Sequence, residues 1–473
     1  MKTTKPMLPA PVASLQAAAQ KDTSAYAIAR SLTTEVGPRL AGSSGDTAAV
    51  AWALTELKSL GFADVHAESV TVPQWIRGHA DVEITAPDPH RLAAAALVGS
   101  VGTSEDGVEA PVIAVADTAA LENLNSDDVA GKIVYLSGRV RPSADGSGYR
   151  ALASNVRDGA AIAAAKGAVA VVVRSLGTDS NRLPHTGWLR PVPLAARIPA
   201  LAISNPDANL LDIELTKGVP VTLNITSTAR ELPPVRSANV VGEIPGRGKG
   251  QDEVVLLGAH LDSWDLGTGA LDDAAGVATV LGAAHLIAAL PARERPQRTL
   301  RVVLYANAEM GGSGAKAYAE RHADELGRVI LALAAPYGGV PVWRFDTGIA
   351  PAALGAAAPI AAALTPLGIQ RGSEDFTGGS GTAPLFAHGV PIVRLLGDAR
   401  VYYAIAATAN DTLDKVNPIA LKQNVAAYAT VAYMAAASNR DFGRAPATLP
   451  APQTASPPAA ATLSPPASSP SPR

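Results

Sequence analysis

Three polar residues follow predicted strands in the sequence and could together bind a metal ion. His260 stands directly after the strand-like run Glu253–Leu257, and Asp272 follows twelve residues later. Glu309 comes just after a second strand-like run, Thr299–Ala306. An imidazole and two carboxylates are ligands that catalytic zinc takes in proteins. The residue types and their positions therefore predict a metal site built from side chains that are distant along the chain.

Each of these signals also has a simpler explanation when it is taken alone. Asp272 and Asp273 together are typical of a helix N-cap. Glu309 is typical of a carboxylate in the first turn of a helix. Asp262, two residues after His260, is expected to orient the imidazole. The metal interpretation depends on the occurrence of all these residues in one domain.

The elements that must position these residues alternate between strand and helix patterns. Such alternation predicts an α/β fold with a mostly parallel mixed sheet sandwiched by helices. In these sheets ligands bind beyond the carboxyl ends of the strands, which is where His260 and Glu309 are expected. The predicted strands are Glu253–Leu257, Thr299–Ala306, Val329–Leu333 and Val390–Leu396, and the predicted helices are Ala274–Leu290, Ser313–Ala323 and Pro418–Ala437.

The rest of the chain predicts a second, self-contained α/β module at residues 110–225. Leu232–Arg236 contains prolines and is expected to be the linker back to the main domain. The final 29 residues contain nine prolines, which predicts a disordered tail. The other predicted elements are the helices Thr47–Leu60 and Asp158–Lys166 and the strands Asp64–Val72, Ala80–Thr85, Gly131–Leu136, Ala168–Val173 and Ile198–Ile203.

The composition excludes several classes of site. The chain has 473 residues, 48% of them hydrophobic, which suits a large buried core. It contains no cysteine, so disulfides, thiolate metal sites and a cysteine nucleophile are excluded. The net charge of −3 gives no reason to expect a nucleic-acid partner. No membrane span is predicted, since the longest apolar stretch, Ala274–Leu290, carries His285 and is shorter than a span. No intact signal peptide is predicted, because no apolar region follows Lys2 and Lys5, and a trimmed one stays open.

With these residues in place, the chain resembles the M28 family of di-zinc exopeptidases, especially its carboxypeptidase Q-like members. Gly258–Gly276 and Asn410–Val416 carry the resemblance, which covers about residues 25–440. It implies a zinc exopeptidase-like fold, removal of terminal residues from small peptides, and up to two zinc ions. It also implies a periplasmic or secreted location and leaves the oligomeric state open, a homodimer included.

The resemblance further implies a division of the chain into segments. It assigns 25–95 and 236–440 to a discontinuous peptidase domain, and 96–235 to a smaller inserted protease-associated α/β domain. Residues 1–24 form an N-terminal segment, and 441–473 form the Pro-, Ala- and Ser-rich tail.

By the resemblance, Asp272 bridges two metal ions, His260 binds one of them and Glu309 binds the other. The chain departs from the family pattern at the remaining positions. Ala308 occupies the position of the general base, and Pro336 and Ala407 occupy the positions of two further ligands. Each ion then keeps two protein ligands where catalytic zinc normally has three. We therefore expect weak or partial zinc occupancy and impaired or absent hydrolysis.

Two other functions fit the same residues. One is a non-catalytic protein that binds a peptide or a partner on the peptidase fold. The other is a one-metal acyltransferase like the glutaminyl cyclases, against which the missing late histidine counts. Five residues are considered as replacements for the missing general base or metal ligands: Asn307, Asp346, Glu374, Asp375 and Tyr403. Of these, Asp346 is expected to face solvent or a turn. His185 is expected to lie in a surface loop of the inserted module.

Overall fold

The computed structural model describes residues 8–444. Of the predicted tail, only residues 441–444 fall within this range, and residues 1–7 also lie outside it. The described chain contains two eight-stranded sheets. The first carries the predicted metal ligands and is called the main sheet, and the other is called the second sheet.

The main sheet is mixed, with its central strands parallel. Val254–His260 pairs in parallel with Thr299–Tyr305 on one side and with Val329–Ala335 on the other. The predicted mostly parallel mixed sheet is thereby confirmed. Its strands, in spatial order, are Ala63–Ile76, Arg230–Ile244, Thr299–Tyr305, Val254–His260, Val329–Ala335, Ile392–Gly397, Val342–Gly348 and Gln370–Arg371.

The central strand extends three residues beyond its predicted end. Gly258 and Ala259 continue the ladder, and His260 is the last residue of the strand, opposite Tyr305. The small side chains at 258 and 259 ended the apolar pattern but not the backbone pairing. A Cβ at Gly258 would lie 2.7 Å from the Tyr305 ring, so the small residue lets the neighbouring strand approach.

Helices cover both faces of the main sheet, and the long apolar helix lies at the centre of the core. Every residue from Ala275 to Ala284 is buried, which explains why this helix has no polar face. The main helices packed around this sheet are Ala10–Lys21, Ser24–Ser31, Ser44–Ser59, Ala275–Ala288, Ser313–Arg321, Leu354–Leu364, Ala383–Ala387, Ala399–Tyr402 and Pro418–Ala437.

One helical stretch in the described part of the chain, Ala270–Ala288, is long and apolar enough to cross a membrane by length and composition alone. Most of it is buried within the protein, as expected for the core helix of this sheet. Its composition therefore reflects its position against the main sheet.

The second sheet draws its strands from residues 80–227. Its central strands, Ile133–Leu136 and Ala170–Arg174, pair in parallel and are buried, as expected for a small α/β body. The other strands are Ala80–Ala86, His90–Leu92, Ala94–Ala96, Val108–Val115, Ala200–Ile203 and Thr222–Ser227, and the accompanying helices are Thr118–Glu122, Ser126–Val129, Ser147–Arg150, Ala153–Arg157, Gly159–Ala165 and Asn205–Thr216. The domain boundaries and the protease-associated assignment stay predictions.

The prediction of a linker at Leu232–Arg236 is wrong. These residues lie inside the strand Arg230–Ile244, which pairs along its length with Ala63–Ile76. The prolines are tolerated because the ladder shifts register between Val72 and Gln74, and because this end of the strand has a partner on one side only.

Candidate metal centre

The three residues predicted to bind metal lie together at the end of the main sheet. Ligand atoms of His260, Asp272 and Glu309 all lie within 4.8 Å of one another. Nε2 of His260 lies 3.3 Å from Oδ1 of Asp272. No other group of three such residues meets this geometry in the described residues, 8–444.

The imidazole of His260 is buried and held on several sides. Its Nδ1 lies 3.1 Å from the backbone carbonyl of Asp262 and 3.5 Å from the carboxylate of the same residue. The His260 backbone N–H donates a 2.9 Å hydrogen bond to Oδ2 of Asp273. Burial alone would lower the pKa of His260, but the negative charges of the surrounding carboxylates, led by Asp273, raise its pKa well above the ordinary value.

Asp262 has a wider role than the predicted orientation of the imidazole. Its carboxylate accepts hydrogen bonds from the backbone N–H groups of Ala308 at 2.9 Å and of Glu309 at 3.1 Å. It therefore joins the end of one strand to the turn that follows the neighbouring strand. This contact sets the distance between His260 and Glu309.

Asp272 is positioned by two residues from the C-terminal part of the domain. The Tyr402 hydroxyl donates a 2.7 Å hydrogen bond to Oδ2 of Asp272. Asp411 accepts hydrogen bonds from the backbone N–H groups of Leu271 and Asp272 at 2.7 and 3.3 Å. Burial, together with the charge of Asp272, raises the pKa of Asp411 to about 7.

The surroundings of Glu309 fit a bound cation. Its Oε1 is buried and has no hydrogen-bond partner among the described residues. Burial and the neighbouring charge of Asp272 raise the pKa of Glu309 well above its ordinary value. A buried carboxylate oxygen without a partner is costly unless a cation or a proton compensates it.

Arg39 was not singled out by the sequence patterns, although it is central to the site. Its side chain is fully buried and donates to the carbonyls of Leu261, Thr268 and Gly269 at 2.7 to 2.8 Å. It thus holds the loop between His260 and Asp272. Burial lowers the pKa of Arg39, while four nearby carboxylates, led by Asp411, counteract that effect.

The residues present fit a zinc ion. They supply one imidazole nitrogen and two carboxylates, which is the three-ligand set of a catalytic zinc site. Burial raises the pKa of Asp273 well above its ordinary value and that of Asp411 to about 7, and a bound cation would favour the ionised form of both carboxyl groups. Glu309 also has a buried carboxylate oxygen without a hydrogen-bond partner among the described residues, which a cation could compensate.

The positions that depart from the family pattern surround this cluster. The Pro336 carbonyl lies 3.3 Å from Nε2 of His260, and Ala308 lines the same small pocket as the imidazole. Ala407 lines the cavity that contains Asp272 and Glu309. None of these three side chains carries a metal-binding or proton-accepting group.

Two predictions about nearby residues are wrong. Asp346 does not face solvent: it is fully buried and paired with Arg344 and Arg394 from the main sheet. Its strand position was readable, and Arg344 is in the same strand, but the second basic partner, Arg394, comes from a neighbouring strand 48 residues away. His185 does not lie on a surface loop, since it is 4% exposed and its Nε2 lies 2.5 Å from Oδ2 of Asp179.

The other residues considered as stand-ins do not join the cluster. Asn307 bonds to Met310 and Ser313, and Glu374 pairs with Arg371 at the surface. The ring of Tyr403 stacks on Tyr149 with 4.1 Å between centroids. Asp375 is exposed.

A cavity of about 270 Å³ opens beside Asp272 and Glu309. One wall comes from the main domain, including Trp264 and Tyr402, and the other comes from residues 149–188 of the body built on the second sheet. The two walls are joined by a 2.9 Å hydrogen bond from the Thr186 backbone N–H to the Ala407 carbonyl. The arrangement can enclose a small ligand next to the metal-binding side chains.

Solved structures share this architecture. The crystal structure of a peptidase M28 precursor from Shewanella amazonensis SB2B is 42% identical and superposes with a TM-score of 0.88, over 92% of this chain and 98% of that one. An aminopeptidase from Aneurinibacillus sp. strain AM-1 is 22% identical, with a TM-score of 0.63 over 92% of this chain and 98% of that one, which shows a common fold. A zinc aminopeptidase from Bacillus subtilis is 18% identical, with a TM-score of 0.60 over 86% of this chain and 94% of that one.

Sequence comparisons agree with the fold. Residues 239–432 match the model of peptidase family M28. Carboxypeptidase Q of Xenopus laevis is 32% identical over 85% of this chain and 83% of its own length. Carboxypeptidase Q of Mus musculus is 32% identical over 86% of this chain and 84% of its own length. The chain belongs to peptidase family M28.

Proposed function

We propose that this chain binds one zinc ion through His260, Asp272 and Glu309 and hydrolyses terminal residues of small peptides at a severely reduced rate. The observation that carries the proposal is the convergence of these three side chains within 4.8 Å. Zinc aminopeptidases share the fold, which favours zinc as the ion. Bound zinc would polarise a peptide carbonyl and lower the pKa of a water molecule.

The reduced rate follows from the residue before Glu309. The backbone N–H of Ala308 is held by Asp262, so its methyl group occupies a fixed position beside the site. A methyl group accepts no proton, and the loss of a general base typically lowers the rate by about 10²–10⁴-fold. Pro336 and Ala407 add no ligand, which favours one ion over two.

A second candidate function is peptide binding without catalysis. The cavity beside the cluster is large enough for a small peptide and is lined by Trp188, Trp264 and Tyr403. Such a protein would keep the ligand site while lacking the proton acceptor. The missing late histidine counts against the one-metal acyltransferase alternative, and measuring cyclisation of an N-terminal glutaminyl peptide alongside hydrolysis tests it.

The experiment is metal analysis of the full-length protein after zinc supplementation and gel filtration. We expect at most about one equivalent of zinc, lost in Glu309→Gln and retained in Glu374→Gln, which changes an exposed carboxylate. Dipeptide hydrolysis is measured on the same samples. Two equivalents of zinc with rapid turnover would contradict the proposal, as would zinc uptake that Glu309→Gln leaves unchanged.

A further inference from the structure

The wall of the cavity that comes from the second body carries two basic side chains, Arg157 and His185. They are close in the fold, because the segments that bear them pack on each other. A Cβ at Gly187 would lie 2.7 Å from Cγ1 of Val156, so only glycine permits this approach. The Arg190 backbone N–H donates a 2.7 Å hydrogen bond to the Arg157 carbonyl.

His185 is buried, and one of its two ring nitrogens already has a hydrogen-bond partner. Its Nε2 meets Asp179, which is itself buried, and its backbone N–H donates to the Ser175 hydroxyl at 2.8 Å. The Nε2 edge of the ring also lies over Gly177, where a Cβ would come within 2.1 Å. Neither Gly177 nor Asp179 lines the cavity. The opposite edge, with Nδ1, is left for the cavity, and Nδ1 has no hydrogen-bond partner in residues 8–444.

Arg157 also has a side-chain hydrogen-bond donor that no described residue uses. Its Nε and Nη2 donate to Oδ2 of Asp158 at 2.9 and 2.7 Å, while Nη1 has no partner in the described part of the chain. Asp158 is shared with Arg190, which donates to its Oδ1 at 2.9 Å. Two guanidinium groups thus share one carboxylate, leaving one positive charge in excess on this wall.

The opposite wall carries Asp272 and Glu309, so the cavity is acidic at one side and basic at the other. We propose that Arg157 and His185 bind the free carboxylate of a short peptide whose other end lies at the metal-binding side chains. This inference rests on the proposed function, since it takes the ligand to be a peptide. The Arg157 guanidinium can donate directly to a carboxylate. Asp179 accepts from Nε2 of His185, so Nδ1 donates to the peptide carboxylate when the ring carries both protons, and charge-assisted hydrogen bonds of this kind are the stronger ones.

The test compares binding of Ala-Phe with binding of its C-terminal amide by calorimetry on the zinc-supplemented, full-length protein. The two ligands differ only in the terminal charge. We expect the free acid to bind at least about tenfold more tightly than the amide. In Arg157→Gln the affinity for the acid should fall by about tenfold, while the affinity for the amide stays unchanged. Arg157 is exposed, so this variant should fold.

Arg190→Gln is the matched control, because Arg190 shares Asp158 but does not line the cavity. It should keep the preference for the free acid, whereas Asp179→Asn should weaken that preference. Equal affinities of the wild-type protein for acid and amide, an unchanged preference in Arg157→Gln, or no binding of either ligand would each overturn the inference. Zinc content, measured separately, reports on the proposed function. The proposed function and the inferred carboxylate site can therefore fail independently.

Discussion

The Tyr402 hydroxyl donates a 2.7 Å hydrogen bond to Oδ2 of Asp272, while Oδ1 of the same carboxylate lies 3.3 Å from Nε2 of His260. One aspartate therefore connects the central strand of the main sheet to the C-terminal part of the domain. Asp411 holds the backbone of the same residue from that side. The cluster is a junction of three chain segments that are far apart in sequence.

Removing the Tyr402 hydroxyl should weaken this junction. In Tyr402→Phe we expect the free energy of unfolding of the metal-free protein to fall by about 1.5–3 kcal/mol, the usual contribution of a hydrogen bond to a charged group. Denaturant unfolding measures it. Tyr403→Phe is the control, since the Tyr403 hydroxyl makes no hydrogen bond in the described residues. An equal fall in the free energy of unfolding in both variants would show that the hydrogen bond from Tyr402 to Asp272 is not the cause of the destabilisation.

Arg39 should be essential to the loop between His260 and Asp272. In Arg39→Met the carbonyls of Leu261, Thr268 and Gly269 lose their donor, and each orphaned acceptor costs about 1–3 kcal/mol. We expect the free energy of unfolding to fall by at least about 3 kcal/mol and zinc uptake to disappear.

Arg39→Lys should not restore stability, because one ammonium group lacks the planar fork of donors that reaches all three carbonyls. The exposed Arg30 gives the comparison: Arg30→Met should leave both stability and zinc uptake within error. A stable Arg39→Met protein that still binds zinc would refute the assigned role.

Glu68 should make stability depend on pH. It is buried on the edge strand and contacts Arg321 at 3.1 Å and His322 at 2.7 Å, next to the helix that follows Glu309. Burial alone would raise the pKa of Glu68, but the hydrogen bonds and charges of His322 and Arg321 hold its pKa below the ordinary 4.5. His66 also faces the carboxylate, at 3.5 Å.

Because its pKa is lower in the folded than in the unfolded protein, Glu68 stabilises the fold above about pH 4.5, and this contribution is lost as the pH falls through the folded pKa. The difference in free energy of unfolding between wild type and Glu68→Gln should be largest above pH 4.5 and shrink at lower pH. Denaturant titrations from pH 3.5 to 6 measure it. Glu105→Gln should show no such trend, because Glu105 is exposed and has no ion-pair partner within residues 8–444. A pH-independent difference for Glu68→Gln would contradict the assignment.

Restoring the missing groups should strengthen metal binding. The triple change Ala308→Glu, Pro336→Asp and Ala407→His should tighten zinc binding by more than about tenfold, since even outer partners of ligands alter metal affinity by about 10–100-fold. Ala407 has a φ of 60°, a region in which histidine is enriched over most residues, so the new side chain should fit the backbone. Calorimetric zinc titration measures the gain.

The control for this change places the imidazole one residue earlier. Ala406→His, combined with the first two substitutions, also lines the cavity but lies outside the ligand position. It should give less zinc affinity than Ala407→His. Equal zinc affinity for both triple variants, or none gained by either, would show that the site has been placed at the wrong residues.

The sequence was informative where the signal is local. The apolar run Glu253–Leu257 and the buried helix after Asp272 predicted the sheet and the side at which His260 lies, because hydrophobic period and strand-end position are properties of short segments. The resemblance to a known family assigned His260, Asp272 and Glu309 their separate parts in a two-ion site. It also identified Ala308, Pro336 and Ala407 as the positions that lack their usual groups.

The remaining features depend on contacts between distant segments. Arg39 and Tyr402 carry no local pattern, and their partners lie 222 and 130 residues away in the chain. His185 looked like a loop residue because its loop is polar, yet Asp179 and the approach of the main domain bury it. Leu232–Arg236 looked like a linker because proline usually ends strands, whereas here the edge position and a register shift accommodate it.

The strands Ala63–Ile76 and Arg230–Ile244 run side by side, and their last paired residues are Ile76 and Arg230. The chain therefore departs from the peptidase core and returns to it at neighbouring points. None of the strands of the main sheet comes from the residues between these points. Since those residues include Arg157 and His185, replacing them would change the proposed carboxylate-binding wall while the strand order of the main sheet stays as it is.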